Sequence, residues 1–146
     1  MSTAAHTILL RVWQIRESEA KLAAGKDVTP GMLCEFSLAA IQPHSNPSAI
    51  PSPKIFATEA PWREGADIDT AYDQDGEQVE YHHALSGDQI YALLAAGENV
   101  DSLDDRLGSD AAGALKVATT YAFARPLELV DNSAGYAAVR IRVEVL

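Results

Sequence analysis

Four histidines, one cysteine and 21 carboxylates are the side chains here with the chemistry to act on a ligand. Cys34 would be a nucleophile if His44, His82 or His83 served as its base. Its surroundings, Leu33-Cys34-Glu35-Phe36, hold no activating group, so it reads as a buried strand cysteine. His82 and His83 are metal-ligand types. On a strand, neighbours point to opposite faces, so the two cannot chelate one ion together, and surface or packing roles are expected. Asp73, Asp75 and Gly76 resemble part of a calcium loop. With Gly76 set on that loop's glycine, Ala71 takes the first ligand position and His82 stands where the bidentate Glu belongs. Two oxygen ligands are then missing, and a solvated turn is expected. Gly108 and Gly113 lack the lysine and the strand-to-helix context of a phosphate loop. No pair of carboxylates is singled out as acid and base. The sequence therefore assigns no catalytic residue, metal ligand or cofactor, and a non-enzymatic role is expected.

Binding residues are easier to nominate. Trp13 and Trp62 are the largest apolar groups. Trp62 lies in a polar stretch, Ala60-Pro61-Trp62-Arg63-Glu64, where it is either core or an exposed contact anchor. Ile8, Leu10, Val12 and Trp13 are apolar yet precede the region with the most regular strand pattern. Such a segment either buries against another subunit or forms an ordinary strand. Ile8, Leu10, Val12, Trp13 and Trp62 are the candidate partner-binding residues.

Bulk properties narrow the partner. A chain of 146 residues supports one domain with a real core. Its hydrophobic fraction of 47% and charged fraction of 22% are those of a folded domain. The net charge of −10 repels phosphate backbones and anionic lipid, so neither nucleic acid nor membrane is an expected partner. The tightest basic cluster, Arg140 and Arg142, is flanked by Glu144 and is too weak to change this. A lone cysteine cannot build a disulfide framework, which fits synthesis in a reducing cytoplasm. The N-terminus lacks the pattern of a signal peptide, and no apolar run approaches a membrane span.

The elements that must position these residues are mostly strands. Thr7 to Ile15 is β-prone, whereas Arg16 to Ala24 favours a helix that Gly25 could stop. That helix would either pack or belong to an arm ordered by a partner. Val28-Thr29-Pro30-Gly31 signals a type II turn. Met32 to Ile41 reads as one strand. Gln42 to Lys54 holds four of the seven prolines and reads as a loop or edge. Ile55 to Glu59 and Glu77 to His83 read as strands. Gln89 to Ala96 is open: Ser86 or Asp88 as N-cap with Gly97 beyond suits a short helix, and alternation of Ile90, Ala92 and Leu94 suits a strand. Pro126 within Phe123 to Val130 suggests an edge or bulge. Val139, Ile141, Val143 and Val145 alternate with Arg140, Arg142 and Glu144, predicting a final strand with one buried and one wet face. Short strands separated by frequent turns predict a barrel or sandwich.

The order of these motifs carries a resemblance. Thr29-Pro30-Gly31-Met32-Leu33, Gln42-Pro43-His44, Phe56-Ala57-Thr58-Glu59, and Tyr72 with Asp75-Gly76 and Val79 come first. Gly87 to Gly97, Leu107-Gly108-Ser109, Gly113-Ala114-Leu115 and Phe123-Ala124 through to Val145 follow. Over residues 28 to 146 the set resembles the decoration (cement) proteins of tailed-phage heads. Asp104-Asp105 stands where that family shows Gly-Asp before Leu107. The resemblance implies a mainly β fold, a compact barrel of the tulip or clip type at 28–146. Residues 1–27, which carry little of it, read as an N-terminal arm, and at most one or two short helices are expected. It also favours a strand at Gln89 to Ala96. It implies a homotrimer that is made in the host cytoplasm, sits on the outer head surface of the virion and clamps neighbouring copies of the major capsid protein. A small-ligand or glycan-binding β-barrel module is the alternative.

Overall fold

The computed structural model describes residues 8–12, 14–60 and 67–146, and no helix occurs among them. The first seven strands are β1 (Leu9–Arg11), β2 (Glu17–Leu22), β3 (Leu33–Ser37), β4 (Ala40–Pro43), β5 (Ile55–Ala57), β6 (Gln78–His83) and β7 (Gln89–Leu94). They are followed by β8 (Asn99–Val100), β9 (Leu107–Ser109), β10 (Leu115–Val117), β11 (Ala124–Pro126), β12 (Val130–Asp131) and β13 (Val139–Val145). The expected compact β-barrel is present. Strands β2, β4, β3, β5 and β6 close into a barrel in that order. Its interior holds Leu22, Cys34, Ile41, Ile55, Ala57, Tyr72 and Val79, all within 2% of complete burial. The Tyr72 hydroxyl donates to the Thr58 carbonyl at 2.7 Å, so this buried phenol is satisfied.

The helix expected at Arg16 to Ala24 does not form. Glu17 to Lys21 instead pairs antiparallel with β6, from Glu17 opposite His82 to Lys21 opposite Gln78, and the end of β2 runs parallel to β4. Helix propensity in ESEAKL amounts to tenths of a kcal/mol per residue, and two flanking ladders with Leu22 buried inside outweigh it. Residues 17–22 are thus a barrel strand rather than part of a separate arm. The single strand expected at Met32 to Ile41 is a hairpin, β3 and β4, turning at Leu38 and Ala39. Leu38 takes a left-handed φ of 57° with its side chain fully in solvent. The Thr29 to Met32 turn forms as expected, with Gly31 at φ 95° in the position where a type II turn needs it.

Strands β7, β10, β9, β11 and β13 form a second closed set. β13 pairs with β7 along six residues, β7 with β10, β10 with β9, β9 with β11, and β11 with β13. β1 adds to the β7 edge, with Leu9 opposite Ile90. The open segment at Gln89 to Ala96 is therefore a strand with partners on both edges. Pro126 lies in β11 beyond the one point where that strand meets β9, so its missing N–H costs no bond on that side. β8 and β12 make a two-stranded ribbon. In β13, Ile141, Val143 and Val145 are buried as the alternation predicts, while Val139 is 37% exposed because it lies at the strand's outer end.

The two halves meet in the second of two core clusters. Leu33 and Phe56 of the first barrel point into the cluster built on Ile90, Leu94, Leu107, Leu115, Ile141 and Val143, and Phe56 meets Phe123 at 6.4 Å between ring centroids. Arg140 fastens the boundary from the other side. Its guanidinium donates to the Pro30 and Ile68 carbonyls and to Asp69, beneath the Tyr91 ring.

Candidate functional site

The five candidate partner residues separate once the chain folds. Ile8 is fully buried in its own subunit, where its N–H donates to Glu59 Oε2 at 3.0 Å and its carbonyl accepts from Tyr91. Burial by its own chain keeps it off the surface of the single subunit. Val12 is half-buried against the same core, and Leu10, between buried Leu9 and exposed Arg11, is 40% exposed. Trp13 and Trp62 lie outside the described residues.

The other chemically able side chains also sort out by face. Cys34 is sealed in the first barrel, and burial pushes its thiol up to about 12, so it is a packed thiol. His82 and His83 point to opposite faces as expected, His82 fully buried and His83 exposed. His82 Nδ1 accepts the Arg16 N–H at 3.2 Å, which places the ring proton on Nε2, where it is donated to the buried Asp88 Oδ2 at 2.9 Å. Asp88 also accepts the Leu85 N–H. The pair ties β6 to the turn before β7. Asp75 sits in a turn and accepts the Gly25 N–H at 3.0 Å, a structural contact between loops. No group of three or more potential metal ligands is found among the described residues.

One polar constellation remains, and sequence reasoning missed it. Glu35 on β3, His44 just past β4 and Ser109 at the end of β9 converge beside the proline-rich loop. The β3–β4 register sets Glu35 opposite Gln42, and Gln42 Nε2 donates to Glu35 Oε2 at 2.7 Å. Ser45 adds its hydroxyl to Oε2 at 2.6 Å and its N–H to Oε1 at 3.1 Å. Partial burial opposes ionisation of Glu35, but these three donors win and hold its carboxyl below the usual range. His44 is almost fully buried, and burial pushes its imidazole down, with the Glu35 charge opposing only in part. Neutral His44 beside ionised Glu35 is the state at neutral pH.

The ring's orientation follows from Ser109. The Ser109 oxygen accepts the Ala111 N–H at 3.1 Å and lies 2.7 Å from His44 Nδ1. A buried hydroxyl needs an acceptor for its own hydrogen, and Nδ1 is that acceptor, so the imidazole proton sits on Nε2. Nε2 faces Glu35 Oε1 across 4.0 Å, too far for a direct hydrogen bond. Serine, histidine and glutamate together invite comparison with a nucleophilic triad. The geometry differs: Ser109 is 2% exposed, so its oxygen is closed to a substrate, and His44 Nε2 stands too far from Glu35 for the hydrogen bond that orients the base of a triad. What the trio does is hold one imidazole N–H and one carboxylate oxygen in fixed positions at a cleft.

That cleft measures about 350 Å³ and is walled by Phe36, Ile50, Pro51 and Pro53 as well as Glu35 and His44. The Phe36 ring is held edge-on by Tyr81 at 5.5 Å between centroids and stays 43% exposed. The sequence signal for this site was the proline-rich loop itself. Its link to Ser109, 65 residues away, had none. The sequence matches no protein-family model, and comparison with curated proteins likewise finds no match.

Proposed function

We propose that this chain is a decoration protein of a tailed-phage head, binding the outer head surface as a homotrimer and bridging neighbouring major capsid subunits. The observation that carries this reading is a group of large apolar side chains spent on solvent. Around the β8–β12 ribbon, Leu103 is 51%, Leu129 60% and Tyr136 101% exposed, on the segments that enter and leave the ribbon. None of them fills the chain's own core, and in water they cost solvation that a protein partner would recover, at about 25 cal/mol per Å² buried. An acidic scaffold of net charge −10 suits a partner surface better than nucleic acid. Two closed strand rings leave little free edge, so contacts between copies need not propagate as sheet extension.

The test is co-sedimentation of the purified chain with undecorated heads, together with sedimentation velocity of the chain alone. The expected result is saturable binding to heads, and a fall in occupancy when Leu129 and Tyr136 are both changed to Ser while the melting temperature stays within about 2 °C. Full occupancy by the double variant, or no binding by the parent chain, would remove the reading.

A further inference from the structure

We infer that the cleft between β3 and the proline-rich loop is a binding site for a neutral, hydroxyl-bearing ring, a hexose unit of a glycan. This inference does not depend on the decoration reading and uses a different surface.

The argument starts from unused hydrogen-bonding capacity. A carboxylate offers roughly four acceptor positions. Glu35 gives two on Oε2 to Ser45 and Gln42, and one on Oε1 to the Ser45 N–H. One acceptor position on Oε1 is left, on the side of His44 Nε2. The Nε2 proton is fixed there because Nδ1 is occupied by Ser109. A donor and an acceptor thus stand 4.0 Å apart at the cleft wall. An oxygen about 2.8 Å from each would subtend an angle of about 90°, within reach of a hydroxyl that accepts from His44 and donates to Glu35. A group able to do only one of these would leave the other unsatisfied. The pair therefore selects hydroxyl over carbonyl, ether or ammonium.

The rest of the wall selects what carries the hydroxyl. Phe36 presents an open aromatic ring, stiffened by Tyr81, and Ile50, Pro51 and Pro53 line the same space. A sugar ring has an apolar C–H face and a polar rim, and matches an aromatic platform beside a bidentate donor–acceptor pair. The ionised Glu35 and the net charge of −10 oppose anionic sugars. A volume of about 350 Å³ lies at the low end of small-ligand pockets, roughly 300–1,000 Å³, so a short saccharide is the fitting size.

The experiment titrates the full chain with methyl β-galactoside, methyl β-glucoside and methyl α-mannoside while following histidine and phenylalanine ring signals by NMR. Saturable shifts of His44 and Phe36 with at least one glycoside are expected, at roughly millimolar affinity. Phe36→Ala, which removes the platform, and Glu35→Gln, which spares its shape but turns an acceptor pair into a mixed amide, should each weaken that binding by about tenfold or more. Methyl β-glucuronide should bind more weakly than the matching glucoside. No saturable shift with any of the three glycosides, shifts that persist in both variants, or equal binding of the glucuronide would overturn the assignment.

Discussion

Arg140 and Arg142 stand two residues apart on one face of the last strand, and replacing each by alanine separates what pattern predicts from what packing predicts. Alternation alone treats them as equivalent solvent-facing side chains. In the structure the Arg140 side chain is 12% exposed and that of Arg142 is 56% exposed. Arg140→Ala strips the donors from the Pro30 and Ile68 carbonyls, one of them buried, and removes the cation from under Tyr91 at 5.8 Å. Each orphaned carbonyl costs about 1–2 kcal/mol, for a total of roughly 2–4 kcal/mol, and the exposed Asp69 adds little. Arg142→Ala loses only a surface pair with Glu128, and the backbone N–H of that position still donates to Glu128 Oε2. Its expected cost is under about 0.5 kcal/mol. At this chain length a kcal/mol moves the melting temperature by about 3 °C, so the Arg140 variant should melt some 6–12 °C lower and the Arg142 variant within about 2 °C of the parent. Arg140→Lys keeps the charge but not the fork and should fall between. Calorimetric melts giving the two alanine variants equal, small shifts would refute the view that Arg140 fastens the two halves.

Deleting residues 1–24 should abolish cooperative unfolding, because it removes β2 with its pairings to β6 and β4; a truncated chain with a sharp thermal transition by circular dichroism would contradict this. Stability should decline as pH falls below 7, since His44 and Glu35 both have folded-state pKa values below their ordinary 6.5 and 4.5, so each contributes stability that is complete above the ordinary value and lost as pH drops through the lowered one. His44→Gln should flatten the decline between pH 7 and 5 in chemical denaturation, and an unchanged slope would dismiss His44 as its source. Cys34 should resist a thiol reagent in the native protein and react fully in denaturant; rapid native labelling would show that the barrel core opens.

Local sequence carried what depends on two-residue periodicity and turn chemistry. Ile141, Val143 and Val145 declared their face because burial on a strand repeats every second residue, and Pro30-Gly31 declared its turn because only a few residues tolerate those angles. The β-rich class followed from many such segments. Partnership across the chain was decided by tertiary structure alone. Glu17 to Leu22 has a helix-favouring composition and became a strand because β6 and β4 offered ladders on both sides. Ile8 looked like a spare apolar residue and is core, since the edge of β7, far along the chain, receives β1 with Leu9 opposite Ile90. Arg140 and Arg142 look alike until the Pro30 turn and the loop at Ile68 fold over only one of them. The cleft at His44 depends on a serine 65 positions away fixing which nitrogen bears the proton, and no local pattern encodes a contact at that range.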